Sequence, residues 1–210
     1  LAGAALLFLA WKGTLGTATA LKYGLFHSVS AFNNSGFDIF GGFQSLAGYV
    51  SDSRINAVIM ALTAIGGLGF IVMNELFSRL RGKQYKLSMH SKVVLTTSAA
   101  LLVIGTIAFY FLESGNSQTL GSLEPIQKAM AAAFQSTVAR SSGFATLNIG
   151  AVSTATLLLL ILLMLIGSSP GGTGGGIKTT TAAAAWHAVV SFAKGKNDTE
   201  LFGRRLSSAA

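Results

Sequence analysis

Two short segments of this chain end in small polar residues followed by Gly-Phe, a pattern suited to binding a monovalent cation. They are Asn34-Ser35-Gly36-Phe37 and Ser141-Ser142-Gly143-Phe144. Glycine permits backbone angles that a Cβ would forbid, so the carbonyl oxygens of such a turn can face one axis. Carbonyl oxygens arranged in this way replace the hydration shell of a monovalent cation. Each segment therefore predicts a reentrant pore hairpin.

The surroundings of both segments favour a cation site made of main-chain atoms. No carboxylate precedes the glycine in either segment, so selectivity would come from backbone oxygens. The C-terminal end of the preceding short helix carries roughly half a negative charge, which also favours a cation. Asp38 follows at the outer mouth, where it would enrich cations. The recurrence predicts two copies of one unit rather than two unrelated domains.

A run of glycine and hydroxyl residues follows the most apolar segment of the chain. It comprises Gly167, Ser168, Ser169, Pro170, Gly171, Gly172, Thr173, Gly174, Gly175 and Gly176. Such a composition disfavours a helix, and non-helical backbone at membrane depth is tolerated only inside protein or beside a water-filled cavity. A phosphate-binding loop would need Gly-Lys-Ser/Thr, but Ile177 precedes Lys178. The run therefore predicts a solute pathway, with close helix packing as the weaker alternative.

Composition places these segments in a membrane. Apolar residues make up 51% of the chain and charged residues 10%, and the mean hydropathy is +0.60. A soluble domain carries about a quarter charged residues. The chain has no cysteine, and its three histidines share no metal-ligand spacing, so neither a zinc site nor a thiol nucleophile is expected. We expect an all-α integral membrane protein without a cofactor, built from repeated helix–pore hairpin–helix units with a broken final helix.

The apolar segments occur in the order span, short segment, span, and this order is repeated. Residues 1–10 resemble the end of a membrane helix more than a signal peptide, so we expect the chain to be an excerpt of a longer protein. The segments 21–33 and 126–138 are too short to cross a bilayer. The predicted spans are 57–73, 93–112, and a final helix at 151–166 that resumes at 182–193.

These segments and the charge distribution divide the chain into four parts. Residues 1–78 form one unit with a truncated first helix, 79–92 a basic connector, 93–193 a second unit, and 194–210 a basic tail. The net charge is +8, and nine of the fifteen basic residues lie in the connector and the tail. That asymmetry predicts that both are cytoplasmic. Basic residues are not interleaved with aromatic ones as in a nucleic-acid groove, so no nucleic-acid partner is expected.

Several single residues have alternative interpretations. Gly66, Gly67 and Gly69 are predicted to be helix-packing contacts. Arg140 is expected to hydrogen-bond backbone carbonyls behind its hairpin, and direct repulsion of ions is the alternative. Lys178 either faces the cavity as a gating charge or extends to lipid headgroups, and the sequence leaves both open.

Together these motifs resemble the KtrB/TrkH potassium-translocating subunits, whose superfamily includes the plant HKT transporters. The resemblance covers nearly the whole chain, and its glycine-rich run is the most specific part. The segments that carry it are 26–37, 66–70, 87–92 and 167–181. It implies four membrane-pore-membrane repeats around one pore, of which this chain resembles the second and third. The first and fourth repeats would then belong to the same polypeptide.

The resemblance implies selective K⁺ uptake across a bacterial cytoplasmic (inner) membrane by a multi-pass protein. The two Gly-Phe segments would form the K⁺ filter, and the glycine run with Lys178 would form an intramembrane gate. It further implies a homodimer, contacts with lipid, and a cytosolic ring of nucleotide-binding regulatory subunits. A non-conducting scaffold subunit is one alternative. An intramembrane enzyme is another, but Glu75, Glu113 and Glu124 all lie outside the apolar cores, where they do not form a catalytic pair.

Overall fold

A computed structural model describes residues 1–42, 44–82, 86–140, 142–195, 200–201 and 204–205. Ser141 of the second hairpin, as well as Lys83 and Lys196, lie outside the described residues. The helices are α1 (Ala2–Leu15), α2 (Thr17–Phe32), α3 (Ser53–Leu68), α4 (Phe70–Leu80), α5 (Met89–Glu113), α6 (Pro125–Ala139), α7 (Thr154–Leu165) and α8 (Thr179–Ala193). Two 3-10 turns, Ala47–Tyr49 and Ile149–Ala151, and a two-residue strand pair, Glu200–Leu201 with Arg204–Arg205, complete the elements.

The main core joins the two predicted units. Its buried side chains come from α1, α2, α3 and α6 and from the segments that follow α2 and α6, among them Leu7, Ile59 and Phe134. Trp11 of α1 lies against the His27 ring of α2 at a centroid distance of 5.2 Å. Because the first unit packs against the pore-hairpin helix of the second, the two hairpins are held in a fixed relation.

The prediction of one continuous span at 57–73 is wrong, since the helix breaks at Gly69. There φ is 85°, in the left-handed region that glycine tolerates and other residues avoid. The axes of α3 and α4 differ in direction by 108°. Asp52 caps the start of α3, where its carboxylate accepts hydrogen bonds from the amides of Arg54 and Ile55 at 3.0 and 3.3 Å.

Helix α5 contains the predicted span at 93–112. Its 25 residues extend about 37 Å at ~1.5 Å per residue, enough for a hydrocarbon core of about 30 Å. Within the described residues, α5 alone is long and apolar enough to cross a membrane, or two spans are present if α3 and α4 count as one bent span. The final helix is broken as predicted, but the interruption between α7 and α8 covers 166–178 and α8 begins earlier than expected.

A buried carboxylate joins the end of α5 to the start of α7. Glu113 is fully buried, although the sequence suggested an acid outside the core. Its two oxygens accept four hydrogen bonds, at 2.6 to 2.8 Å, from Asn116 Nδ2, Thr119 Oγ1, the Ser153 amide and Thr156 Oγ1. All four partners are donors, which is the environment that stabilises an ionised carboxylate without a counter-ion.

The first prediction concerns this carboxylate. Glu113→Gln places an amide NH₂ group opposite donors, so at least one buried donor loses its acceptor. We expect a loss of about 2–3 kcal/mol in the free energy of unfolding, measured by thermal or denaturant unfolding of the purified protein in detergent. Glu124→Gln is the control, because Glu124 is an exposed helix cap where glutamine keeps an acceptor oxygen. Equal stability of the two variants would contradict the structural role.

Candidate functional site

The two predicted hairpins meet at their glycines. Gly36 has φ of 69° and Gly143 has φ of 83°, so both adopt the left-handed conformation. A Cβ on Gly36 would overlap the carbonyl oxygen of Ser142 and lie 2.8 Å from the Cα of Gly143. A Cβ on Gly143 would lie 3.5 Å from the Cα of Gly36. The sequence predicted equivalent positions, and the structure places them in direct backbone contact.

Turns at the C-terminal ends of α2 and α6 aim the two segments toward each other. Asn34 has φ of 53°, a conformation that Asn adopts more readily than most residues. The Ser35 amide then donates to the carbonyl of Ser30 at 2.9 Å. In the second unit, the amides of Ser142 and Gly143 both donate to Val138 O, at 2.9 and 3.3 Å. Each helix therefore ends by turning its chain back, as a reentrant hairpin requires.

Thr63 of α3 links the two hairpins, and the sequence analysis did not single it out. Its hydroxyl lies 3.2 Å from the Ser142 hydroxyl, and its carbonyl accepts a hydrogen bond from Asn34 Nδ2 at 3.3 Å. The residue is 3% exposed. The available signal was the one hydroxyl side chain within the apolar stretch 57–68 of α3.

The outer parts of the hairpins are also joined. The Leu46 amide donates to Ala145 O at 2.9 Å, and the Ala145 amide donates to Ser45 Oγ at 3.1 Å. The two phenylalanines of the repeated pattern differ in their surroundings, since Phe144 is 2% exposed and Phe37 is 70% exposed. The hairpin of the second unit is thus packed on the first unit, whereas the hairpin of the first unit presents an open face.

The glycine run lies against the broken end of α3. The amides of Thr173 and Ser169 donate to the carbonyls of Gly66 and Gly67, at 3.1 and 3.0 Å. In the opposite direction, the Phe70 amide donates to the carbonyl of Gly171 at 3.3 Å. Gly66 is a close contact between α3 and the end of α2, as predicted, whereas Gly69 ends α3 and lies against the loop. The helix break and its pairing with the loop were not predicted.

Hydrogen bonds within the loop give it a defined shape. The Gly167 amide donates to Ile177 O at 3.1 Å, and the Ser168 amide donates to Gly175 O at 3.0 Å. Lys178 Nζ donates to Gly174 O at 3.1 Å. The lysine ammonium therefore binds the loop itself, an arrangement that neither of the two interpretations of Lys178 had foreseen.

One loop residue contacts the first hairpin directly. The Thr173 hydroxyl accepts a hydrogen bond from Asn34 Nδ2 at 2.7 Å and donates to Phe32 O at 3.0 Å. Phe32 is the last residue of α2, so its carbonyl belongs to the negative end of that helix. The predicted filter and the predicted gate are thus in contact through a single side chain.

Two further charged residues that the sequence singled out, Arg140 and Asp38, lie near the hairpins and form no metal site in the ranges that the structure describes. Arg140 Nε and Nη1 are buried and have no hydrogen-bond partner among the described residues, so the expected bonds to carbonyls are not found for these two atoms. Asp38 accepts a hydrogen bond from the Phe40 amide at 3.1 Å. No group of three or more His, Asp or Glu side chains is placed to hold a metal within the described part of the chain.

These features define a helical membrane protein in which two hairpins meet above an interrupted helix. The family model for TrkH, described as a cation transport protein, matches residues 5–208. The chain therefore belongs to the TrkH family of cation transport proteins, and the alternative of an intramembrane enzyme is set aside.

Individual relatives agree with this assignment. The chain is 36% identical over 208 residues to the potassium/sodium uptake protein NtpJ of Enterococcus hirae, covering 99% of this chain and 45% of that protein. It is 34% identical over 191 residues to the Ktr system potassium uptake protein B of Bacillus subtilis, covering 91% and 42%. The corresponding protein of Vibrio alginolyticus is 37% identical over 139 residues, covering 66% and 30%. The chain spans less than half the length of these relatives.

A solved structure shares the fold. The crystal structure of the potassium transporter TrkH from Vibrio parahaemolyticus superposes with a TM-score of 0.73 at 19% identity, covering 98% of this chain and 42% of that one. The predicted all-α membrane fold is confirmed. The division into repeated units at 1–78 and 93–193, with a connector and a tail, stays a prediction.

The second prediction tests the contact between the two glycines. In the full-length subunit, Gly36→Ser forces an overlap with Ser142 and adds about 1–2 kcal/mol of left-handed strain. Gly143→Ser adds the strain without the overlap, so we expect Gly36→Ser to reduce K⁺ over Na⁺ discrimination more strongly. The measurement is uptake of both ions in a potassium-auxotrophic strain.

Gly41→Ser is the matched control for this experiment. Gly41 has φ of 87° and nothing within 4 Å of its would-be Cβ, so this variant carries strain alone and should keep its selectivity. If Gly36→Ser and Gly143→Ser both retained normal uptake and selectivity, the assignment of these hairpins as a filter would be wrong.

Proposed function

We propose that this chain forms part of the K⁺ pathway of a multi-pass uptake protein in a bacterial cytoplasmic membrane. The two Gly-Phe segments act as its filter, and the glycine run with Lys178 acts as its gate. Relatives matched along most of the chain are named as potassium or potassium/sodium uptake proteins, which supports K⁺ as the transported ion. The role of Ser141 rests on the sequence pattern, because this residue lies outside the described part of the chain.

The observation that carries the proposal is the position of Thr173. The carbonyl at the end of a pore helix would favour a hydrated cation in the cavity below a filter. Here the Thr173 hydroxyl donates a hydrogen bond to the Phe32 carbonyl at 3.0 Å. The loop therefore occupies the position where a cation or its water would bind. This contact supports a pathway that the loop closes, and in the proposal opening requires the loop to leave the hairpin.

The unequal environments of the two phenylalanines support a ring of four hairpins. Phe144 of the second hairpin packs against the His27 ring of the first unit, with centroids 6.3 Å apart. If the same contact recurs around a ring, the exposed Phe37 packs on the unit that precedes it. The first and fourth repeats of the full-length polypeptide would supply that neighbour and close the ring.

The proposed assembly extends beyond one polypeptide. A homodimer surrounded by lipid, with a nucleotide-binding regulatory subunit on the cytosolic side, follows from the family resemblance. The basic connector at 79–92 and the tail at 194–210 are both predicted to be cytoplasmic, so the tail and the part of the connector that follows Arg81 are available to that subunit. Such a partner would act on the gate through the elements that contact the loop.

The third prediction concerns the loop as an obstruction. Deleting residues 171–175 removes Thr173 together with Gly174, whose carbonyl holds Lys178. We expect K⁺ flux through the full-length subunit to rise while the K⁺/Na⁺ ratio stays set by the hairpins. The measurement uses proteoliposomes without the regulatory partner, since partner control would mask the effect. Unchanged or lower flux from a well-folded deletion variant would show that the loop is a structural interruption.

The fourth prediction isolates one side chain of the loop. Thr173→Val keeps the shape of the residue but removes both hydroxyl hydrogen bonds, to Asn34 and to Phe32. We expect higher partner-independent K⁺ flux by about fivefold to a hundredfold, since the two lost bonds together contribute about 1–3 kcal/mol. Thr173→Ser should restore the closed state because it restores the hydroxyl.

Thr181→Val is the control for this substitution. It makes the same chemical change at a residue that is exposed on α8, away from the hairpin. If Thr173→Ser and Thr173→Val had equal flux, the hydroxyl would have no part in closure.

A further inference from the structure

Helix α4 has two sharply different faces. At 3.6 residues per turn, six apolar residues fall on one continuous arc. All the polar and charged residues fall on the other arc, where Ile71 is the one apolar residue. The apolar arc contains Val72, Leu76, Leu80, Met73, Phe77 and Phe70. The polar arc contains Arg81, which caps the helix, then Asn74, Ser78, Glu75 and Arg79.

Only one edge of α4 is covered by the rest of the described chain. Val72 is fully buried, and Glu75 accepts a hydrogen bond from the Ser88 amide at the start of α5 at 3.0 Å. Phe70, Phe77 and Leu80 are 66%, 57% and 84% exposed. The uncovered surface therefore contains both an apolar strip and a polar strip, with their boundary running along the helix.

With α3 along the membrane normal, the bend at Gly69 would place this surface near a membrane interface. Helix α3 has 16 residues and is about 24 Å long at ~1.5 Å per residue, which leaves its end near the inner boundary of a hydrocarbon core of about 30 Å. A change of direction of 108° then turns α4 nearly perpendicular to α3. A helix lying along the interface with divided faces is the geometry of interfacial amphipathic helices.

The positive charges on α4 and on the connector after it indicate the kind of surface on which this helix would lie. Arg79 and Arg81 are exposed, and the sequence continues into a connector with Lys86 and Lys92. The Arg81 guanidinium lies 4.8 Å from the centre of the Phe77 ring, at the boundary between the apolar and polar strips. Apolar rings beside guanidinium groups fit acyl chains beside phosphate headgroups, whereas the core of a protein interface is depleted of charged residues.

We propose that α4 is an interfacial helix that rests on the anionic phospholipid headgroups of the cytoplasmic leaflet. Its apolar strip inserts between acyl chains, and its arginines bind headgroup phosphates. The backbone of α4 is also bonded to the glycine run, through the Phe70 amide and the Gly171 carbonyl at 3.3 Å. The lipid surface would therefore fix the position of α4, the helix to which the glycine run is bonded.

Single-cysteine labelling of the full-length protein tests this proposal. The 210 residues contain no cysteine, so once any cysteine elsewhere in the full-length protein is replaced by serine, a nitroxide can be placed at Phe77→Cys and Leu80→Cys on the apolar strip. Asn74→Cys and Ser78→Cys are the matched controls on the polar strip of the same helix. Each variant is reconstituted in vesicles of phosphatidylglycerol or of phosphatidylcholine, and accessibility to oxygen and to a water-soluble nickel chelate is measured by power saturation.

The expected result is a several-fold higher oxygen-to-nickel accessibility ratio at 77 and 80 than at 74 and 78. The ratio at 77 and 80 should fall in phosphatidylcholine, and in an Arg79→Gln/Arg81→Gln variant in phosphatidylglycerol. Four positions shielded from both reagents would show that protein covers the helix and would overturn the proposal. Equal nickel access at all four would show that the helix lies in water, and a ratio independent of lipid charge would overturn the anionic specificity. None of these readings depends on ion transport.

Discussion

The constraint on which this structure depends is that backbone polar groups at membrane depth must find partners within the protein. Two helices are interrupted here, at Gly69 and over 166–178. Each interruption supplies hydrogen-bond partners for backbone groups of the other. The carbonyls at the end of α3 accept hydrogen bonds from amides of the loop, and the first amide of α4 donates to a loop carbonyl. The two breaks lie side by side, so each satisfies backbone groups that the other leaves without a helical partner.

The same pairing connects the parts of the proposed pathway. Gly66 accepts from the Thr173 amide at 3.1 Å, and the Thr173 side chain bonds the hairpin of the first unit. A Cβ on Gly66 would overlap Phe32 O, so α3 must approach α2 with no side chain between them. The first hairpin, α3 and the loop are therefore in contact at one point, so displacing any one of them must alter the contacts of the other two.

The sequence carried the features that local chemistry determines. A glycine after small polar residues, twice, predicted two left-handed turns, and the composition of 167–176 predicted a break in a helix. It did not predict the break at Gly69, because glycine in an apolar run is also common within membrane helices. The enclosure of Glu113 was missed for another reason. Its four donors come from residues up to 43 positions away, and no local pattern indicates which of them converge.

The composition of the loop bears on how such a pathway could open. Moving it away would break five hydrogen bonds to the hairpin and to the α3–α4 break. Left unpaired in an apolar surrounding, each polar group would cost several kcal/mol, but exchange with water reduces the loss to about 0.5–1.5 kcal/mol per bond. Opening is therefore feasible only where water follows the loop, which is the condition inside an ion pathway. Glycine serves both states, because it presents backbone donors and acceptors without a side chain that one of the two states would leave unpacked.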